Sequence, residues 1–140
     1  MGLDIVTSNY EKDFHIGYIG FSNMRAFFIL HYDEESYYNY KNVLRGLLRP
    51  TPESEALYQK IFEKIDNLSI LIDHSDCDGE LTSDECKKLL PCLFVDEDKI
   101  NGVSIVDNNE YYNRIIGKMY EFIELVKYCA SNDEIKLLFG

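Results

Sequence analysis

The chain has few residues from which a zinc or redox centre could be built. Its 140 residues include no tryptophan, three histidines and four cysteines, and no two cysteines form a C-x-x-C pair. Because paired ligand spacing is missing, we do not expect a zinc site. The opening MGLDIVTSNY lacks the basic and apolar segments of a signal peptide, and no apolar run is long enough to cross a membrane. We therefore expect a cytoplasmic protein with reduced, mostly buried thiols.

Positive charge is also scarce. The 14 lysines and arginines are outnumbered by 25 aspartates and glutamates, which gives a net charge of −11. A surface this acidic repels phosphate backbones, so DNA and RNA are not expected partners. The charge still permits a small anion in a locally basic pocket, and it suits an acidic protein that inhibits a host enzyme or mimics nucleic acid.

Apolar residues are abundant enough for one folded domain over residues 1–140. Hydrophobic residues make up 46% of the chain, with eleven tyrosines and eight phenylalanines. Short β-branched or apolar segments predict strands over residues 3–7 and 134–140, and alternating rings and glycines predict a second strand or an extended loop over residues 14–21. Helical spacing and capping residues predict helices over residues 22–35, 36–48, 51–73, 83–93 and 108–131, with a polar surface loop over 94–107. We expect an α+β domain in which four to five helices pack on a small sheet formed by the N- and C-terminal strands.

The segment LIDHSDCDGELTSDEC has the spacing of an EF-hand calcium loop. With Gly79 at the sixth position, the loop opens at His74, where a calcium loop normally has an aspartate. The ligands would be Asp76, Asp78, Glu80 and Glu85. The alternative is an acidic turn whose side chains cap the next helix, since Thr82 and Glu85 have the spacing of a capping box.

A second segment, YIGFSNMR, predicts an anion site at a helix start. Gly20 permits an unusual backbone, and Ser22 as helix cap leaves backbone amides free to bind phosphate. Arg25, one turn later, is a bidentate phosphate partner. Tyr18 and Phe21 are available to stack on a flat ring.

The two segments form one ligand pocket if their helices start on the same side of the domain. His74, Ser75 and Asp76 would then form hydrogen bonds with a base or sugar, while Arg25 holds phosphate. The candidate ligand-binding residues are Tyr18, Phe21, Ser22, Arg25, His74, Ser75, Asp76, Asp78 and Gly79. No cofactor other than the alternative calcium ion is expected.

Catalysis has little support in the sequence. His74 is a candidate base and Cys77 a candidate nucleophile, and together they define a phosphodiesterase alternative. The chain contains no phosphate-binding P-loop, nucleophile elbow or dinucleotide fingerprint. We therefore expect a binding protein rather than an enzyme.

Four stretches of the chain resemble a family of small bacteriophage and prophage proteins. They are MGLDI, YIGFSNMRAF, HSDCDGELTSDEC and YCASNDEIKLLFG, and they extend from one end of the chain to the other. The resemblance implies a phage-encoded protein that acts in the host cytoplasm. In size and style such a protein resembles the viral sponges that sequester cyclic or modified nucleotide signals of host immunity. The leading hypothesis is such an anti-defence sponge, and because sponges often assemble, a homo-oligomer is one expectation.

Overall fold

Strands from both ends of the chain lie in one sheet, and most of the chain between them is helical. The computed structural model describes residues 2–46, 51–75, 77–103 and 109–140. The strands are β1 (Gly2–Thr7), β2 (Asp13–Gly17), β3 (Glu80–Leu81) and β4 (Leu137–Phe139). The helices are α1 (Tyr18–Tyr32), α2 (Glu34–Gly46), α3 (Pro52–Lys64), α4 (Ser69–Ile72), α5 (Ser83–Leu89), α6 (Glu97–Val103) and α7 (Asn109–Ala130).

The sheet is antiparallel, with the strand order β2-β1-β4-β3. Ile5 of β1 pairs with Phe14 of β2 on one side and with Phe139 of β4 on the other. Leu81 of the short strand β3 pairs with Leu137 of β4. This arrangement confirms the predicted α+β fold with N- and C-terminal strands in one sheet. Strand β3 was not predicted, because two residues are too few to show a periodicity of two.

Helix α1 lies at the centre of the helical layer. Every residue from Met24 to Leu30 is buried, as expected for a helix that contacts neighbours all round. It contacts β1, β2, α2, α6 and α7. Phe28 of α1 packs on Phe122 of α7 with ring centroids 6.3 Å apart, and Phe14 of β2 contacts the same ring at 5.7 Å. These rings join the sheet to the helices.

Helix α1 begins at Tyr18, one turn earlier than the predicted start at Ser22. Gly17 is the N-cap residue, in an extended conformation. Gly20 lies inside the helix, where a β-carbon would lie 3.1 Å from Ile16 and 3.2 Å from Ile115. The glycine therefore serves close helix packing rather than a turn, and this is why the sequence suggested a later start.

Two further segments differ from the predictions. Residues 51–73 do not form one helix, because α3 ends at Lys64. A 3₁₀ turn over Asp66–Leu68 separates it from α4, and the first residue of this turn, Asp66, has a left-handed backbone with φ of 53°. Part of the predicted loop over 94–107 is helical. The Asp96 carboxylate accepts a hydrogen bond from the Lys99 amide at 3.1 Å and so caps α6, which buries Ile100. Residues 104–107 of that loop, and residue 108 of the next predicted helix, lie outside the described residues.

Candidate functional site

The loop that joins α4 to β3 is held by the imidazole of His74. Its Nδ1 lies 2.7 Å from the carbonyl oxygen of Ser75, and its Nε2 lies 3.1 Å from the carbonyl oxygen of Glu80. The ring also packs on Phe139, with ring centroids 4.1 Å apart. Both ring nitrogens therefore face carbonyls of the loop itself. This differs from the prediction that His74 offers them to a ligand.

Gly79 forms the turn that the sequence predicts. Its φ of 93° is a left-handed conformation that favours glycine. The His74 ring lies directly against it, since a β-carbon at this position would be 3.3 Å from His74 Cε1. The Gly79 carbonyl accepts a hydrogen bond from the Phe139 amide at 2.9 Å. The turn is thus tied to β4 at the edge of the sheet.

Thr82 and Glu85 form the predicted capping box at the start of α5. The Thr82 hydroxyl accepts a hydrogen bond from the Glu85 amide at 3.2 Å, and the Glu85 carboxylate accepts one from the Thr82 amide at 3.0 Å. In a calcium loop the last glutamate would instead give both carboxylate oxygens to the ion. The capping role of Glu85 competes with that use.

The other calcium candidates are only partly described. Glu80 forms an ion pair with Lys136 at 3.1 Å, Asp78 is exposed, and Asp76 lies outside the described residues. Within the described ranges, no three His, Cys, Asp or Glu side chains are grouped closely enough to hold a metal ion. Calcium binding by this loop stays a prediction.

Arg25 extends from α1 to the same loop. Its Nη2 donates a hydrogen bond to the His74 carbonyl oxygen at 2.6 Å. The guanidinium lies over the ring of Phe21, 4.2 Å from the centroid, and the residue is only 7% exposed. Arg25 and His74 therefore do lie together, as predicted, but the arginine holds the fold of the loop.

The remaining candidates on α1 are placed differently from the prediction. Phe21 is fully buried and packs on Phe139, so it has no face for a ligand. Ser22 lies inside α1, where its amide belongs to the helical hydrogen-bond ladder and is not free for phosphate. Tyr18, the first residue of α1, is partly buried against the core. The predicted phosphate site at Ser22 is therefore wrong.

A groove of about 730 Å³ lies between α3 and the loop after α4, and we call it the α3 groove. Arg25, His74 and Ser75 are among its lining residues, so three predicted site residues are together. Tyr58 and Phe62 of α3 add a stacked aromatic pair, with ring centroids 5.7 Å apart. Glu55 and Asp73 also line it, as do Pro52, Ala56, Gln59 and Ile72.

Ser75 and Cys77 pair with each other rather than with a base. The Ser75 hydroxyl accepts a hydrogen bond from the Cys77 amide at 3.3 Å, and the two side chains are 3.4 Å apart. Since both nitrogens of His74 face carbonyls, the geometry gives Cys77 no activating imidazole. The phosphodiesterase alternative gains no support from this arrangement.

A second groove, of about 660 Å³, lies where α1 begins, and we call it the α1 groove. Gly17 and Ile19 line it from the start of α1, and Arg114 and Lys118 line it from α7. No side chain caps α1, and its first turn contains no acidic residue. The groove therefore combines a helix start, which carries partial positive charge, with two full positive charges.

His15 adds a further titratable cation at the edge of the α1 groove. Its Nδ1 contacts the Asp4 carboxylate, and its Nε2 lies 3.2 Å from the Asp13 carboxylate. These hydrogen bonds, first that of Asp4 and then that of Asp13, raise the pKa of His15 above its usual value of 6.5. The one acidic side chain among the described lining residues, Asp4, is thus paired within the groove.

Arg114 and Lys118 were not predicted as site residues from the sequence. Their spacing of four along a predicted helix shows that they share one face. The sequence does not show that this face meets the start of α1, because that contact joins segments far apart in the chain. Tyr58 and Phe62 were missed for the same reason: their shared face is visible, but the loop opposite is not.

No protein-family model, no curated protein and no solved structure matches this chain. The resemblance to phage proteins therefore rests on the sequence motifs alone and stays a prediction. In the part of the chain that the structure describes, no helix combines the length and apolar character needed to span a membrane.

Proposed function

We propose that the protein binds a nucleotide in the α1 groove and holds it without cleaving it. If the chain is phage-encoded, as its motifs imply, such binding would sequester a cyclic or modified nucleotide immune signal in the host cytoplasm. The observation that carries the proposal is the meeting of an uncapped helix start with two cationic side chains in a protein of net charge −11.

The start of α1 suits a phosphate group. The first amides of a helix have no partner within it and point along its axis, where the helix dipole favours negative charge. Gly17 offers no side chain to satisfy them, and no carboxylate lies in the first turn. Because α1 is fifteen residues long and firmly packed, this end is held in place.

Arg114 and Lys118 supply the charge that a phosphate needs. Arg114 is exposed, and its guanidinium suits a bidentate contact. Lys118 is half-buried and forms an ion pair with Glu121 at 3.1 Å, so a bound phosphate would share this lysine with the carboxylate. Arg114 is therefore the stronger of the two candidates.

The remaining walls suit the apolar faces of a base or ribose. Ile19 is 79% exposed, which is unusual for a large aliphatic side chain, and Tyr111 lines the groove from α7. At Gly17 a β-carbon would meet nothing within 4 Å. A ligand can therefore approach the backbone closely there.

Retention without cleavage fits the chemistry of the lining. The described lining residues include no serine, threonine or cysteine, and both nitrogens of His15 are occupied by carboxylates. The groove thus offers positive charge and shape, but no nucleophile paired with a base.

Isothermal titration calorimetry with cyclic AMP, ADP and cyclic di-AMP tests the proposal. We expect Arg114→Gln to weaken binding about tenfold or more, the effect of losing one charge-assisted phosphate contact. Lys60→Gln removes the same charge from the exposed face of α3 and should leave the affinity unchanged. The ligand recovered after denaturation should be intact by mass spectrometry.

A steric variant locates the site independently of charge. Gly17→Leu should fill the groove without straining the fold, because Gly17 has an extended conformation and open space beside it. Gly102→Leu, at another open position, is the matched control. No binding of any nucleotide, or binding unaffected by both Arg114→Gln and Gly17→Leu, would refute the proposal, and a cleaved product would make the protein an enzyme.

A further inference from the structure

The segment that supplies most of the described lining of the α3 groove is strongly acidic. Residues 52–85 contain ten acidic and two basic residues, a net charge of −8 in a chain whose total is −11. This segment forms α3, α4, the loop after it, β3 and the first turn of α5. One of its two bases, Lys64, forms ion pairs with Asp33 at 3.4 Å and Glu35 at 3.6 Å. The segment that forms most of the described lining of this groove therefore carries predominantly negative charge.

Two aromatic side chains of α3 line the α3 groove. The rings of Tyr58 and Phe62 are one helical turn apart and stack at an interplanar angle of 26°. The ring of Tyr40 contacts that of Tyr58 in a T-shaped arrangement, with ring centroids 6.4 Å apart. Burial raises the pKa of Tyr58, so the phenol stays neutral at physiological pH. Such a surface suits a planar cation, which stacks on aromatic faces.

Two carboxylates flank this surface. Glu55 and Asp73 line the groove and are exposed, and neither forms an ion pair with another described residue. The one arginine or lysine among the described lining residues, Arg25, is almost fully buried, and its guanidinium donates a hydrogen bond to the His74 carbonyl oxygen. A phosphate in this groove would meet the two carboxylates first. A guanidinium would meet two acceptors and an aromatic face.

We propose that the α3 groove is a docking site for an arginine-rich segment of a partner protein. One arginine stacks on Tyr58 and Phe62 and donates hydrogen bonds to Glu55 and Asp73. The surrounding acidic residues attract neighbouring basic side chains and speed the encounter. This inference is independent of nucleotide binding, because it concerns a different groove, different residues and a ligand of opposite charge.

Fluorescence anisotropy with a labelled nona-arginine peptide, at physiological salt, tests the proposal. We expect the Glu55→Gln, Asp73→Asn double variant to raise Kd at least tenfold. The matched control, Glu11→Gln with Glu134→Gln, removes the same charge from exposed positions elsewhere and should raise Kd less than twofold.

The aromatic contribution is tested separately. Tyr58→Phe should retain binding, whereas Tyr58→Leu should weaken it about threefold or more, since a cation–π contact needs the ring and not the hydroxyl. A nona-lysine peptide should bind more weakly, because an ammonium cannot stack as a guanidinium does. Equal weakening by the two double variants would show attraction to net charge alone and overturn the proposal, as would the absence of peptide binding. Circular dichroism of each variant establishes that it folds.

Discussion

Replacing Gly79 with alanine tests the loop structure, because it should lower the free energy of unfolding, whereas the same replacement at Gly117 should raise it. Alanine at Gly79 would have to adopt a φ of 93°, at a cost of about 1–2 kcal/mol for a residue with a β-carbon. Its β-carbon would also lie 3.3 Å and 3.4 Å from two atoms of the His74 ring. The ring cannot retreat freely, since it also contacts the Glu80 carbonyl. We expect Gly79→Ala to lower the free energy of unfolding by about 2 kcal/mol in total.

Gly117 lies within α7 and is exposed, and a β-carbon added there would meet no neighbouring atom within 4 Å. Alanine is the better helix former, so Gly117→Ala should raise the free energy of unfolding by about 0.5–1 kcal/mol. Urea unfolding followed by circular dichroism measures both. With a slope of about 2 kcal/mol/M, the midpoint should fall by about 1 M for Gly79→Ala and rise by about 0.3–0.5 M for Gly117→Ala.

The reasoning fails if Gly79→Ala leaves the midpoint within about 0.2 M of the unmodified protein, a shift of about 0.4 kcal/mol at that slope. It also fails if both substitutions shift the midpoint in the same direction. The slope should stay constant in both variants, because neither substitution changes the surface exposed on unfolding.

The described contacts lead to three further predictions. Thr82→Ala should lower the free energy of unfolding by about 1 kcal/mol through loss of the α5 cap. A calcium-dependent rise in Tm that is absent in Glu85→Gln would instead identify the loop as an ion site. In an NMR titration, His15 should have a pKa above 6.5 that Asp4→Asn lowers; its contribution to stability is present below pH 6.5 and lost as the pH rises through the folded-state value. With a thiol reagent, Cys77 should react in the native protein, while the other three thiols should react only on unfolding. These three are the buried Cys86, Cys92 and Cys129.

The fold could be predicted where local signals agreed with tertiary packing. The capping box at Thr82, the cap at Thr51 and the strands at both ends act through neighbouring residues, so the sequence alone reveals them. The start of α1 was mistaken because Gly20 and Ser22 look like a turn and a cap. In the structure a β-carbon at Gly20 would lie 3.2 Å from Ile115, a close contact that no local pattern shows.

The candidate site was predicted in part for the same reason. Arg25 and His74 do come together, although they lie 49 residues apart. The sequence did not reveal that both side chains form hydrogen bonds with backbone carbonyls of the loop. Most of the groove lining comes instead from α3 and the neighbouring loop residues. Arg114 and Lys118 were not predicted as residues of the α1 groove, because they reach the start of α1 only through the packing of α7 beside it.

If the protein binds a nucleotide as we propose, the separation of charge across the sheet would let it repel nucleic acid and still bind a small anion. The α1 groove lies at the β2 edge, while the acidic segment adjoins the β3 edge. Three strand spacings separate these edges, about 14 Å, which exceeds the screening length of about 8 Å at physiological ionic strength. A nucleotide bound in the α1 groove, as proposed, would therefore be screened from the carboxylates at the β3 edge. A long polyanion would extend beyond that distance and meet the carboxylates of residues 52–85, so we expect this charge pattern to select ligands by size as well as by sign.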